Sequence, residues 1–157
     1  MENETHYFFW KHQFGQWTMR DMEDSDGTEY NCCEQYMMAQ KARLFRDEQS
    51  FKSIMQEADP RKQQEFGRLV ANYDQETWDR NREEIVYRGN LLKFFQHQDL
   101  RERLYVTSPK ILVEASPYDT VWGVGLSAKD PLILDEKNWR GQNLLGKVLM
   151  RVRRDVS

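Results

Sequence analysis

Residues 29–45 read EYNCCEQYMMAQKARLF. The stretch predicts a helix from about Cys32 to Phe45, entered from a strand or turn. Most of one side is apolar. Glu34 and Lys41 stand seven residues apart, two turns on, so they share one row of the helix with Met38 between them and Phe45 beyond. At about 1.5 Å of rise per residue their backbones lie roughly 10 Å apart. That is long for a direct ion pair, and it suits two side chains that converge on something held between them. An amphipathic helix with both groups at its solvent edge has the same spacing, so spacing alone does not choose.

Working outward, the N-terminal side predicts short strands and turns. HYFFW (6–10), QWTM (16–19) and TEYN (28–31) are strand candidates, with a turn at Asp24 to Gly27. The C-terminal side predicts helices. One surrounds Phe51 to Glu57. Asp59-Pro60, an N-cap followed by proline, opens another that runs to about Asn72. Asp74 caps a third, with Trp78, Ile85 and Val86 on its inner face. LLKFFQ (91–96) and LRERLYV (100–106) continue the helical pattern past Gly89. KILVEAS (110–116) is a short apolar strand closed by Pro117, and a loop rich in Gly and Asp follows to about Asn138. The last helix is predicted from near Trp139 to Arg153, with Leu145, Val148, Leu149 and Val152 in its apolar row and arginines at its negative end. Gly141 and Gly146 permit close approach, and Gln142 and Asn143 are placed to bond backbone. The sum is an α+β fold, predominantly helical, with a small β-sheet and a single domain over residues 1–157.

A chain of 157 residues can bury a sizeable core. Its 23 Lys and Arg against 26 Asp and Glu give a net charge of −3, which argues against holding duplex DNA by charge alone, although a local basic patch stays open. No apolar run approaches the roughly 18 residues of a membrane span. The N-terminus MENETHYFFW is acidic where a signal peptide needs a basic start. Cys32 and Cys33 are adjacent and offer no disulfide framework, which fits a reducing, intracellular compartment, cytoplasmic or nuclear. His6, His12 and His97 lack metal-ligand spacing. No metal, glycine-rich phosphate loop, nucleophile elbow or cofactor is expected. Nothing reads as a coiled coil, so a monomer is expected.

Three further clusters place polar residues in apolar company. In EASPYDTVWGVGL (114–126), Glu114 ends a strand, and Asp119 and Trp122 share a loop with Gly123 and Gly125. Trp122 offers a surface on which a base or sugar can stack, and the glycines allow backbone to approach a ligand. A tight turn around a core tryptophan reads equally well. In FWKHQFGQW (9–17), Trp10, Phe14 and Trp17 surround Gly15 and Gln16, as pocket walls or as core. In RGNLLKFFQH (88–97), Asn90 and Lys93 either meet ribose hydroxyls and phosphate or cap and solvate a helix.

Taken together and in order, FFW (8–10) with FGQW (14–17), YNCCEQYMMAQKARLF (30–45), DPRKQQEFGR (59–68), IVYRGNLLKF (85–94), LVEASPYDTVWGVGL (112–126) and NWRGQNLLGKVLMRVR (138–153) resemble the NADAR, or YbiA-like, family over nearly the whole chain. Cys33 departs from the alanine more usual before the glutamate, and Gly15 from the serine common before the Gln-Trp pair. The loop between Trp17 and Tyr30 is individual to this chain.

The resemblance implies hydrolysis of an N-glycosidic bond. Two substrate classes are attached to the family: phosphoribosylamino pyrimidine intermediates of riboflavin synthesis, and ADP-ribose linked to guanine bases in nucleic acid. This chain stands without a riboflavin-pathway fusion partner, which tilts the expectation toward ADP-ribose on guanine. Breaking such a bond passes through an oxocarbenium-like state, so a carboxylate near the anomeric carbon and a proton donor near the base are required. Glu34 and Asp119 are the carboxylate candidates. Lys41 either protonates the leaving base, holds a phosphate, or attacks as a neutral amine to form a Schiff base. Trp10, Phe14, Trp17 and Trp122 would sandwich base and ribose, Gln16 and Asn90 would bond sugar hydroxyls, Lys93 would bind phosphate, and Glu114 and Gly123 complete the binding set. A module that binds ADP-ribose or a related nucleotide without cleaving it is the competing class. It would not need the Glu34 and Lys41 pair.

Overall fold

Cys32 is extended, with φ −167°, and its sulfur accepts the Gln35 N–H at 3.4 Å. It thereby caps α1, Cys33–Leu44. The next three helices each begin at an aspartate, as a short acceptor side chain before a helix dictates. Asp47 caps α2, Glu48–Gln56, through the Ser50 N–H. Asp59 caps α3, Pro60–Arg68, through the Arg61 N–H. The Asp74 carboxylate accepts the Thr77 N–H at 3.0 Å at the start of α4, Gln75–Gln96.

These helices belong to one of two compact units in the computed structural model, which describes Met1–Ser157. The first unit, the helical one, is Gln16–Gln96; the second, the mixed one, is Met1–Gly15 with His97–Ser157. In the helical unit α2, α3 and α4 all pack on α1. Every residue from Cys33 to Ala39 is therefore buried, not one face alone. Two glycines let the helices meet. A Cβ on Gly67 would lie 1.9 Å from the Met38 sulfur, and one on Gly89 would lie 2.7 Å from the Tyr36 ring. The buried amides are satisfied, as interior polar groups must be. Gln35 donates to the Ile54 carbonyl at 3.1 Å, and Gln63 donates to the Glu57 carbonyl at 2.6 Å.

QWTM forms no strand. Its first residue instead offers its carbonyl to the Glu34 N–H at 2.9 Å, and the strand comes later, at Met22–Glu23 (β2), antiparallel to Glu29–Tyr30 (β3). Helix α3 ends at Arg68, short of Asn72, because the Leu69 N–H turns back to the Phe66 carbonyl and Asn72 adopts a left-handed φ of 61°.

In the mixed unit His6–Phe9 (β1) pairs in parallel with Ile111–Glu114 (β4), strands separated by the intervening hundred residues of sequence. The small sheet expected from the sequence is thus two separate two-stranded sheets. Phe8 and Val113 pack with Ala115, Val124, Leu126 and Ile133 into this unit's core. Gln98–Tyr105 (α5) and Leu144–Val156 (α6) complete it. The last helix begins at Leu144, not Trp139. Arg140, Gly141, Gln142 and Asn143 direct their N–H groups to the carbonyls of Thr120, Gly123 and Val124. Asn143, at φ 54°, donates its side-chain amide to the Leu112 carbonyl at 2.9 Å and accepts the Glu114 N–H at 3.0 Å.

Two of these close approaches carry a prediction. A Cβ on Gly146 would meet the Leu112 carbonyl oxygen at 2.1 Å, and strand backbone cannot give way. At Gly67 the obstacle is the end of a flexible methionine. Gly146→Ala is expected to destabilise by about 3 kcal/mol and Gly67→Ala by about 1 kcal/mol, overpacking offset by alanine's better helix propensity. Denaturant titration of both variants checks the ordering, and equal losses contradict it.

Candidate functional site

In the helical unit the Glu34–Met38–Lys41–Phe45 row acquires a definite course. Glu34 is 2% exposed. Met38 lies against Gly67 of α3. The Lys41 Nζ sits 4.7 Å from the centroid of Tyr73 and 5.4 Å from that of Trp78. Phe45 packs on Tyr73 with ring centroids 5.4 Å apart. The row is therefore not a solvent edge. It joins a buried carboxylate in the first turn to an amine that lies over two aromatic faces. Burial, the largest influence, pulls the Lys41 amine below the ordinary lysine range; Glu34 pulls it back up and Arg68 pushes it down. An amine so placed has a larger neutral, nucleophilic fraction than a surface lysine.

Behind the first turn of α1 lies a buried polar group. Asn90 is 0% exposed. Its Nδ2 donates to Gln16 Oε1 at 2.8 Å and to the Val86 carbonyl at 2.9 Å, and its Oδ1 accepts from Cys33 Sγ at 3.6 Å. Burial pushes the Cys32 thiol up to about 12 and the Cys33 thiol up to about 11, so both stay protonated at neutral pH. Lys93 is fully buried in the same region, and burial lowers its pKa. Trp17 is exposed.

In the mixed unit the other sequence candidates fall into two groups. Phe14 is core, packed edge-on to Phe9 and His12. Trp10 is exposed, with the Lys11 Nζ 4.6 Å above its ring and Tyr118 6.3 Å away edge-on. Asp119 serves the backbone, and its Oδ1 accepts the N–H groups of Val121 and Trp122, each at 2.9 Å. Glu114 ends β4, and its carbonyl accepts the Val124 N–H at 3.0 Å. At Gly123 a Cβ would meet the Asp119 and Glu114 carbonyls and Ser116 at 2.9–3.0 Å. The protein's own backbone already demands that glycine. The Trp122 carbonyl accepts the Leu145 N–H at 3.1 Å, tying the loop to the start of α6.

The helical unit thus brings together Gln16, Glu34 and Asn90, and sets Lys41 on the row of Glu34. The mixed unit brings together Asp119, Trp122 and Gly123 and sets Trp10 beside Tyr118. Sequence reasoning passed over Tyr73, Lys11 and Tyr118. Tyr73 reaches α1 only through tertiary packing, and no periodicity marks it. Lys11 and Tyr118 carried a readable signal, since each lies beside an aromatic or acidic residue already singled out. A cavity of about 480 Å³ runs along β2, β3 and the end of α2. Its walls include Asp21, Glu23, Glu29 and Glu57, which repel a phosphate-bearing ligand, and neither Glu34 nor Lys41 lines it.

Residues 2–157 match the family model of the NADAR domain, across both units. The chain is 44% identical over 148 residues to N-glycosidase R617 of Acanthamoeba polyphaga mimivirus, covering 92% of this chain and 87% of that one. It is 34% identical over 123 residues to N-glycosidase Npun_R5314 of Nostoc punctiforme, covering 78% and 72%. The solution structure of Escherichia coli YbiA superposes with a TM-score of 0.79 at 26% identity, covering 99% of this chain and 87% of that one.

Proposed function

Because this chain belongs to the NADAR family, we propose that it hydrolyses an N-glycosyl bond and that the bond is the one joining ADP-ribose to guanine in nucleic acid. The observation that carries the chemistry is a buried carboxylate, Glu34, on one helix row with an amine, Lys41, whose pKa burial lowers. The relatives' shared name, N-glycosidase, supports the bond type. The exposed Trp10, with an ammonium over its face and Tyr118 beside it, supports a substrate that carries bases, because stacking and cation–aromatic contact suit nucleic acid.

The residues then take these roles. Glu34 donates its proton toward the departing nitrogen and afterwards accepts one from water. When the sugar ring opens, the C1–oxygen bond breaks, the ring oxygen takes a proton from water, and C1 bears the base as an iminium. The neutral Lys41 amine adds to C1, the base nitrogen leaves with a proton, and an imine joins Lys41 to the sugar. Water adds to that imine, the amine departs, and the free sugar closes. Trp17 and Gln16 contact the substrate. Within the mixed unit, Asp119 holds the loop of Trp122 and Gly123 that follows Glu114. The full burial of Lys93, which lowers its pKa, favours an interior role over a phosphate contact.

The test offers the protein, and its Glu34→Ala variant, an oligonucleotide ADP-ribosylated on guanine and, separately, the phosphoribosylamino pyrimidine of riboflavin synthesis. Released base or sugar is followed by mass spectrometry. Restored guanine with wild type alone is the expected result. Cleavage of the pyrimidine alone assigns the enzyme to metabolite clearance. Tight binding of ADP-ribose with no turnover of either makes it a binding module.

A further inference from the structure

We propose that Asn90 is a positioning residue that locks the Gln16 side chain as a hydrogen-bond donor toward an oxygen of the substrate and, through the Gln16 main chain, holds the first turn of α1 that carries Glu34. This deepens the proposed function and rests on it.

The orientation of both amides follows from chemistry. The Val86 carbonyl, four residues earlier on α4, only accepts, so the Asn90 group 2.9 Å from it is the NH2. Asn90 Oδ1 then faces Cys33 Sγ, a protonated thiol and therefore a donor. The remaining Asn90 N–H points at the Gln16 side chain at 2.8 Å, and the Gln16 atom there must accept. It is Oε1. The Gln16 NH2 is left turned away from Asn90, with no hydrogen bond inside the protein, and solvent reaches it.

Two consequences follow. Asn90 is fully buried, both its N–H groups are engaged and its Oδ1 accepts from the Cys33 thiol, which favours a positioning role over contact with a sugar hydroxyl. In this proposal Asn90 positions Gln16 and does not itself meet a sugar hydroxyl. Gln16 can only donate outward, so the group it meets is an acceptor: a hydroxyl, phosphate or carbonyl oxygen of the ribosyl substrate. The Gln16 carbonyl accepts the Glu34 N–H at 2.9 Å, one of the first-turn donors that a helix cannot satisfy internally. Asn90, Gln16 and the Glu34 main chain are therefore one linked unit.

Two arms test this. Gln16→Glu keeps an oxygen facing Asn90 and replaces the outward NH2 with oxygen. On an oligonucleotide ADP-ribosylated on guanine, KM is expected to rise about tenfold or more, with kcat moved less, since loss of one directed donor is worth about that factor. A wild-type KM overturns the donor role. The second arm needs no substrate. Hydrogen–deuterium exchange at the Glu34 amide is expected to speed up about tenfold in Asn90→Leu, and likewise in Gln16→Met, which alters only a half-buried side chain. Wild-type exchange in Gln16→Met overturns the linkage, even if Asn90→Leu does not fold. A wild-type protein that leaves the oligonucleotide intact contradicts the proposed substrate, while the exchange arm still reads the linkage.

Discussion

Glu34→Gln is expected to lower kcat about a thousandfold on the ribosylated substrate, the range of a lost general acid–base group. It is also expected to leave the melting temperature unchanged or to raise it by a few degrees. The two halves belong together. A carboxylate that is 2% exposed is costly to keep out of water. An amide of the same shape removes that charge, so a merely structural Glu34 would show little change in rate. Stability gained with activity lost is the signature of a group retained for function. The Glu34 N–H to Gln16 bond is main chain and survives the substitution, so the first turn of α1 stays in place. The decisive measurements are single-turnover kinetics and thermal melting on the same preparation. Near-normal kcat would return the residue to a first-turn carboxylate that only complements the helix dipole.

Lys41 gives the second large effect, and two variants separate its candidate roles. Lys41→Met removes charge and nucleophile together, and kcat is expected to fall about a thousandfold or more. Lys41→Arg keeps a cation that can still lie over Tyr73 and Trp78 but cannot form an imine. If Lys41 attacks C1, the arginine variant is as inactive as the methionine one, and borohydride added during turnover traps a reduced sugar adduct on Lys41 of wild type. If Lys41 only holds a phosphate, arginine retains much of the activity and nothing is trapped. The pH dependence has a fixed sign. The neutral amine is the reactive form and predominates above its pKa, so the rate rises with pH through the Lys41 titration. Burial sets that limb below the ordinary lysine value of about 10.4. Glu34 raises the Lys41 pKa, so the residual activity of Glu34→Gln is expected to have its limb at still lower pH.

What could be read without coordinates follows from local chemistry. Aspartates before helices, Pro60 at a first helical position and the apolar run at Ile111–Glu114 act on their own neighbours. The starts of α3 and α4 and the place of β4 were accordingly legible, whereas α2 begins at Glu48, three residues before the expected Phe51, because Asp47 caps it through the Ser50 N–H. The shared row of Glu34 and Lys41 is fixed by helical period alone. The family, too, is written in the order of six motifs.

Only tertiary structure decided the rest. Periodicity says that Glu34 and Lys41 share a row; it cannot say that three helices bury α1 nearly all round, because burial depends on what packs there. The start of α6 lies later than its local pattern suggests because Arg140 to Asn143 satisfy their N–H groups on a loop about twenty residues earlier, a partner no local pattern contains. QWTM has strand composition but lacks a strand to pair with, and the Gln16 carbonyl goes to Glu34 instead. Asn90 and Gln16 look alike in the sequence, as polar residues among apolar ones. Their roles separate only when α4 brings Asn90 within 2.8 Å of Gln16, across 74 residues of sequence, and each hydrogen bond constrains the next.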